Sequence, residues 1–278
     1  MSAHSPIYLC SFYSDRYQYR FAARRIRKQL NKLGMFKNTF IYSEKDFFEL
    51  LDKNYKNLME TFKQEKVNPG FAYWAWKPLI IKETLKLIPE QSILLYADIG
   101  CDLIQNDFYW HKIIKKIFRN QIITAYSSGH GFNKYGEQEY NWSKPEIFNE
   151  LKISIKDQNS PQYQATWIML INNSRNREFI QEWQHYCTFN ELFLVKPGVN
   201  KNISDSKLIE NKNDQAVFSC LIKKNLLTPD VANFEDMTII RASRNLSIFS
   251  FSESTLVNII IKFLERRIIK ILNKIWLS

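Results

Sequence analysis

Ile93-Leu-Leu-Tyr-Ala97 is an unbroken apolar run of five residues, closed by Asp98-Ile-Gly-Cys-Asp102. A run this short, without polar alternation, reads as a strand buried inside a sheet. Strand-like runs also occur at residues 7–12, 39–42, 122–126 and 164–171. Between them lie segments of helical spacing at 17–33, 47–62, 79–87, 108–118, 177–186 and 214–224. In the first, Ala22, Ile26, Leu30 and Leu33 share a face and Gly34 supplies a stop. Strands alternating with helices predict an α/β fold: a mainly parallel sheet flanked by helices, in a single domain.

At 278 residues the chain is long enough for one large domain with a full core. Its net charge of +11 favours a polyanionic or phosphate-bearing partner. Cys10, Cys101, Cys187 and Cys220 are scattered and match no metal-ligand spacing, which suits reduced thiols in a cytoplasm. The first residues do not read as a secretory signal, and no apolar run approaches the roughly 20 residues of a spanning helix. The expectation is a protein that stays on the cytoplasmic side of the membrane.

A carboxylate directly after a buried strand lies at the carboxyl edge of the sheet, where open α/β folds bind ligands. Asp98 has that position, and Asp102 follows within one turn containing Gly100. Two such carboxylates are able to hold Mg²⁺ or Mn²⁺ with coordination positions open for a diphosphate. The alternative for Asp98 is a turn hydrogen bond that ends the strand.

The stretch Gly70-Phe-Ala-Tyr-Trp-Ala-Trp-Lys-Pro78, a helix, and then Leu94-Leu-Tyr-Ala-Asp-Ile-Gly-Cys-Asp102 resembles bacterial GT-A glycosyltransferases of surface-polysaccharide and lipopolysaccharide synthesis. Gln162-Tyr-Gln-Ala-Thr166, Phe179-Ile-Gln-Glu-Trp183 and Asn213-Asp-Gln-Ala-Val217 resemble later segments of that group in the same order. The resemblance spans roughly residues 7–224 and implies a GT-A-like, Rossmann-like sheet with a nucleotide-sugar donor at its edge. One position departs. The Asp-X-Asp motif places its second carboxylate two residues after the first, and this chain has Gly100 there.

The resemblance implies donor-binding roles for Asp98, Lys77, Trp76, Gly100 and Gln215. Tyr73, Trp74 and Trp76 are able to stack on a base or sugar, and Lys77 to meet a donor phosphate as a point charge. The alternative for the aromatics is a hydrophobic staple for the helix starting near Pro78. The resemblance also suggests Asp214 as a general base facing the acceptor, against a plain role at the helix N-terminus. Residues 127–145 are long for a connection, which makes Trp142, Lys144 and His130 candidates for an acceptor contact or lid.

Val257, Ile260, Ile261, Leu264, Ile268, Ile271, Leu272 and Ile275 share one helical face, with Lys262, Arg266, Arg267, Lys270 and Lys274 opposite. An apolar face backed by basic residues fits a helix lying in a membrane interface. The alternatives are a helix packed on the domain or a dimer contact. The expected organisation is a catalytic domain at 1–254 and a basic amphipathic C-terminal helix at 255–278, peripheral on the inner face of the cell membrane. The expected activity is sugar transfer from a nucleotide-sugar donor to a glycan or lipid-linked acceptor. A non-catalytic scaffold with a degenerate GT-A fold and a nucleic-acid-binding protein are the competing readings. Nucleic acid is not expected as a partner, because the basic residues form no recognisable nucleic-acid motif.

Overall fold

The computed structural model describes residues 5–127, 138–198, 208–227, 229–232 and 234–247. In chain order the elements are β1 (Ile7–Tyr13), α1 (Tyr17–Leu33), β2 (Phe36–Ser43), α2 (Glu44–Asn54), α3 (Met59–Glu65), α4 (Gly70–Tyr73), α5 (Trp76–Leu87), β3 (Ile93–Ala97), β4 (Asp102–Leu103), α6 (Asp107–Asn120) and β5 (Ile122–Thr124). They continue with α7 (Glu139–Trp142), α8 (Pro145–Leu151), α9 (Ile155–Gln158), β6 (Trp167–Ile171), α10 (Ser174–Thr188), α11 (Asp214–Lys224), β7 (Asp230–Val231), α12 (Phe234–Ile239) and β8 (Ile240–Arg241).

Strands β2-β1-β3-β6-β5-β7 form one sheet in that order, and β4 pairs with β8 in a small second one. β1 is parallel to β2 and β3, and β5 is parallel to β7, whereas β6 runs antiparallel to both β3 and β5. The sheet is therefore mainly parallel, as the strand–helix alternation predicts, with β6 alone reversed. Residues 255–278, the expected amphipathic helix, lie outside the described residues.

The pleat sends successive side chains of β3 to opposite faces. Leu94 and Tyr96 join a core with α2, α5, α10 and α11, while Ile93, Leu95 and Ala97 join one with α1 and α6. Both faces are covered, so the strand is apolar throughout. From β1 the chain goes outward to β2, and from β3 the sheet extends the other way. Asp98 lies at the carboxyl edge beside this divergence, the usual place for a ligand crevice.

One expectation changes. The helix predicted at 47–62 is broken: Tyr55 leaves helical geometry at φ −145°, and α2 and α3 flank it. Its hydroxyl donates to Glu83 Oε1 of α5 at 2.5 Å, so a contact distant in sequence overrides local periodicity. In addition, the aromatic-rich segment before α5 is a left-handed turn. Gly70, Phe71, Ala72, Tyr73 and Trp74 all have φ between 54° and 66°. Such geometry costs about 1–2 kcal/mol for each non-glycine residue. Burial offsets it: the Phe71 ring lies 5.3 Å from that of Phe12, and the Trp76 ring lies 4.2 Å from it. The turn sets the start of α5 and so fixes where Lys77 points.

Candidate active site

β3 ends by handing its chain to Asp98, whose N–H donates to Thr166 O at 2.8 Å. Because β6 is reversed, its leading residues Ala165 and Thr166 arrive at this same edge. Tyr96 precedes Asp98 by two residues on the strand, and its hydroxyl donates to Asp98 Oδ1. From the left-handed turn, Lys77 enters the first turn of α5 and sends Nζ to within 3.4 Å of Asp98 Oδ1 and 2.9 Å of Asp214 Oδ2. Nζ also donates to Ala165 O at 3.0 Å. Asp214 opens α11, which packs on the same face of the sheet as α5.

These groups differ in access. The Lys77 and Asp214 side chains are 3% and 5% exposed, while that of Asp98 is 27% exposed. Burial pushes the Asp214 carboxyl up to about 7, against the pull of the Lys77 ammonium and with a further push from Asp98. Burial acts to lower Lys77, but the carboxylates of Asp214 and Asp98 outweigh it and hold the ammonium charged. The result is a buried cation shared by two carboxylates, of which only Asp98 faces outward. Sequence reasoning passed over Tyr96; its signal was the period of two that puts it on the same strand face as Asp98.

Asp214 does not fit the role of a general base facing an acceptor, because its carboxylate is buried against Lys77. Lys77 does not fit a free point charge for a phosphate, since Ala165 O and both carboxylates surround its ammonium. Trp76 is a core residue whose Nε1 donates to Gly70 O at 2.9 Å, so its face is not offered for stacking. Gln215 donates to Gln162 Oε1 at 2.8 Å and accepts from the Ala165 N–H at 3.2 Å, which ties α11 to the entry of β6. Trp142 and Lys144 are both buried; Lys212 Nζ sits 4.2 Å from the Trp142 ring centre, and Lys144 Nζ donates to Phe193 O. Neither is placed as a lid. His130 lies outside the described residues.

Asp102 turns to a different task. It is buried on Arg25 of α1, with Nε 2.9 Å from Oδ1, and it accepts from Gln29 at 2.7 Å and from Asn245 at 3.1 Å. Gly100 explains the missing carboxylate. A Cβ at this position would meet Arg244 Cα at 3.1 Å, and Gly100 O accepts from the Asn245 N–H at 2.8 Å. The backbone of Arg244 and Asn245 lies where a side chain at position 100 would begin.

The residues present do not fit a divalent cation. Asp98 Oδ1 already faces a hydroxyl donor and an ammonium, and Asp102 is engaged by a guanidinium. Among the described residues no group of three His, Cys, Asp or Glu converges. The Mg²⁺ or Mn²⁺ site expected at Asp98 and Asp102 thus lacks a suitable donor set.

No protein-family model matches the chain, and no curated protein matches it significantly. Solved structures similar to it include mouse xyloside xylosyltransferase 1 in its apo form, at 11% identity and a TM-score of 0.44, covering 82% of this chain and 85% of that one. The galactosyltransferase LgtC, in complex with donor and acceptor sugar analogues, aligns at 9% identity and a TM-score of 0.39, over 81% of this chain and 73% of that one. Likeness this remote says nothing of substrate or residue roles.

Proposed function

We propose that the chain is a glycosyltransferase that moves a sugar from a nucleotide-sugar donor to a glycan or lipid-linked acceptor in bacterial surface-polysaccharide synthesis. The observation that carries this reading is Asp98: a partly open carboxylate at the carboxyl edge of β3, fixed by Tyr96 and Lys77. A carboxylate accepts hydrogen bonds and so suits the hydroxyl groups of a sugar or ribose. In the transfer, the bond between the anomeric carbon and the phosphate oxygen breaks and the nucleoside diphosphate leaves. The acceptor hydroxyl bonds to that carbon, and its proton passes to the departing diphosphate or to water.

In this reading Asp98 contacts the donor, and Lys77 and Asp214 are positioning residues that set its charge and direction. Tyr96 holds the carboxylate in one rotamer, which favours a productive geometry over a mobile one. Residues 255–278 supply attachment to an anionic membrane at the inner face of the cell membrane, where a lipid-linked acceptor would be met.

Thermal melting with nucleoside diphosphates, together with hydrolysis of a panel of nucleotide sugars, tests the proposal. Stabilisation and donor hydrolysis that Asp98→Asn abolishes are expected. Stabilisation by oligonucleotides alone, or by no ligand at all, would overturn it in favour of a nucleic-acid binder or a scaffold respectively.

A further inference from the structure

Helix α1 carries Arg20, Arg24, Lys28 and Lys32 at successive intervals of four, with Arg27 beside them and no acidic residue in the helix. All five are exposed. Residues four apart lie above one another on a helix, so the four form a stripe about 18 Å long. Like charges at this spacing repel and weaken the helix that bears them. Arg20 pairs with Asp15 at 3.2 Å, and Arg27 lies over the Tyr13 ring. Arg24, Lys28 and Lys32 pair with no carboxylate among the described residues. The apolar side of α1 is used: Ala22, Ala23, Ile26 and Leu30 pack on the sheet. The stripe therefore has no role in the core.

A second observation bears on what the stripe meets. Arg25, the one buried arginine of α1, donates through Nη1 to the carbonyls of Asn245 and of Ser247, the latter at 2.7 Å. Nη2 donates to Ile99 O and Cys101 O at 3.1 and 2.8 Å. This guanidinium clamps the chain at 245–247, the last described residues before 255–278, onto α1. Residues 255–278 pair an apolar face with a basic one in sequence. An apolar face suits a bilayer and has no counterpart in nucleic-acid binding through phosphates. α1 also starts where β1 ends, at the sheet edge that holds Asp98.

We propose that the outer face of α1, through Arg20, Arg24, Lys28 and Lys32, is a docking surface for anionic lipid headgroups. Its choice of lipid over nucleic acid rests on the membrane reading of residues 255–278; it does not require sugar transfer. Both basic elements would then contribute to attachment at one anionic surface.

The test is co-sedimentation of the full chain with phosphatidylcholine vesicles, with and without phosphatidylglycerol, compared with binding of a single-stranded oligonucleotide. One variant carries R20Q, R24Q, K28Q and K32Q; another carries K262Q, R266Q, R267Q, K270Q and K274Q. The stripe variant is expected to bind anionic vesicles at least about tenfold more weakly. Its melting temperature should stay or rise, because repulsion is removed, and donor hydrolysis without vesicles should not change. R24Q with K28Q alone, at positions without an ion pair among the described residues, should show a smaller loss in the same direction. Vesicle binding by a folded stripe variant equal to that of the parent would overturn the proposal, and so would a loss confined to the oligonucleotide. If only the C-terminal variant loses vesicle binding, α1 is excluded while the membrane reading stands. Should the parent chain ignore anionic vesicles, both fall.

Discussion

Lys77 Nζ lies 2.9 Å from Asp214 Oδ2, joining the first turn of α5 to the first residue of α11 beneath Asp98. Neither partner reaches solvent to any extent, so the pair acts by fixing charge beneath the one carboxylate that does. Removing one member of a buried ion pair leaves the other uncompensated, at about 3–5 kcal/mol. Lys77→Met is therefore predicted to lower stability by about that amount. Adding Asp214→Asn should recover part of the loss, and a double-mutant cycle by chemical denaturation measures the coupling. Additive losses would mean the two side chains do not interact.

The pH dependence follows from Asp214. Its carboxyl, pushed from 3.8 to about 7 chiefly by burial, keeps its proton in the folded protein over a range where the unfolded chain has released it. The folded state thus binds more protons between these values, and this group's contribution to stability falls as pH rises from about 4 to about 7. Above that range it is level. Asp214→Asn should remove this slope, seen as a stability difference between variant and parent that changes over pH 4–7 and is constant above it. A difference independent of pH would place the carboxyl at its ordinary value.

Asp98 and Asp102 should separate cleanly. Asp98→Asn leaves a partly open side chain of similar shape, so melting should hold while donor hydrolysis falls about 10²-fold or more. Asp102→Asn strands Arg25 in the core and should lower the melting temperature, with the donor affinity of the remaining folded protein nearly unchanged. The reverse pattern would return the chemistry to Asp102.

Glu139, just past residues 128–137, is fully buried. It accepts from Ser143 at 2.5 Å, from Gln162 at 2.8 Å, and from Ser219 and Lys223 of α11. Glu139→Ala should cost about 3–5 kcal/mol by leaving Lys223 unpaired. Denaturant titration checks this, and a loss below about 1 kcal/mol would contradict the buried network.

Gly70→Ala tests the left-handed turn. An added Cβ would fall 2.1 Å from the Trp74 ring at a backbone φ of 66°. Overpacking of this kind typically costs about 1–3 kcal/mol. Because the turn aims Lys77, loss of donor binding should accompany the loss of stability. A variant that melts lower but binds donor normally would show that the turn serves packing alone.

Much of this protein is written in its local sequence. Apolar runs and helical spacing place β1, β3, β6, α1 and α11 near their observed positions, because periodicity records which face of each segment is buried. The location of Asp98 follows too, since a carboxylate after a buried strand has nowhere to go but the sheet edge. What no local pattern records is which distant group a polar side chain meets. Asp98 and Asp102 look alike in sequence, yet one faces outward with Tyr96 and the other is buried on Arg25. Gly100 reads as a lost ligand until the backbone of Arg244 is seen against it. Lys77, read alone as a free cation, becomes a buried bridge only when α5 and α11 pack together. Those outcomes depend on desolvation and on pairing across the fold, and tertiary structure alone decides both.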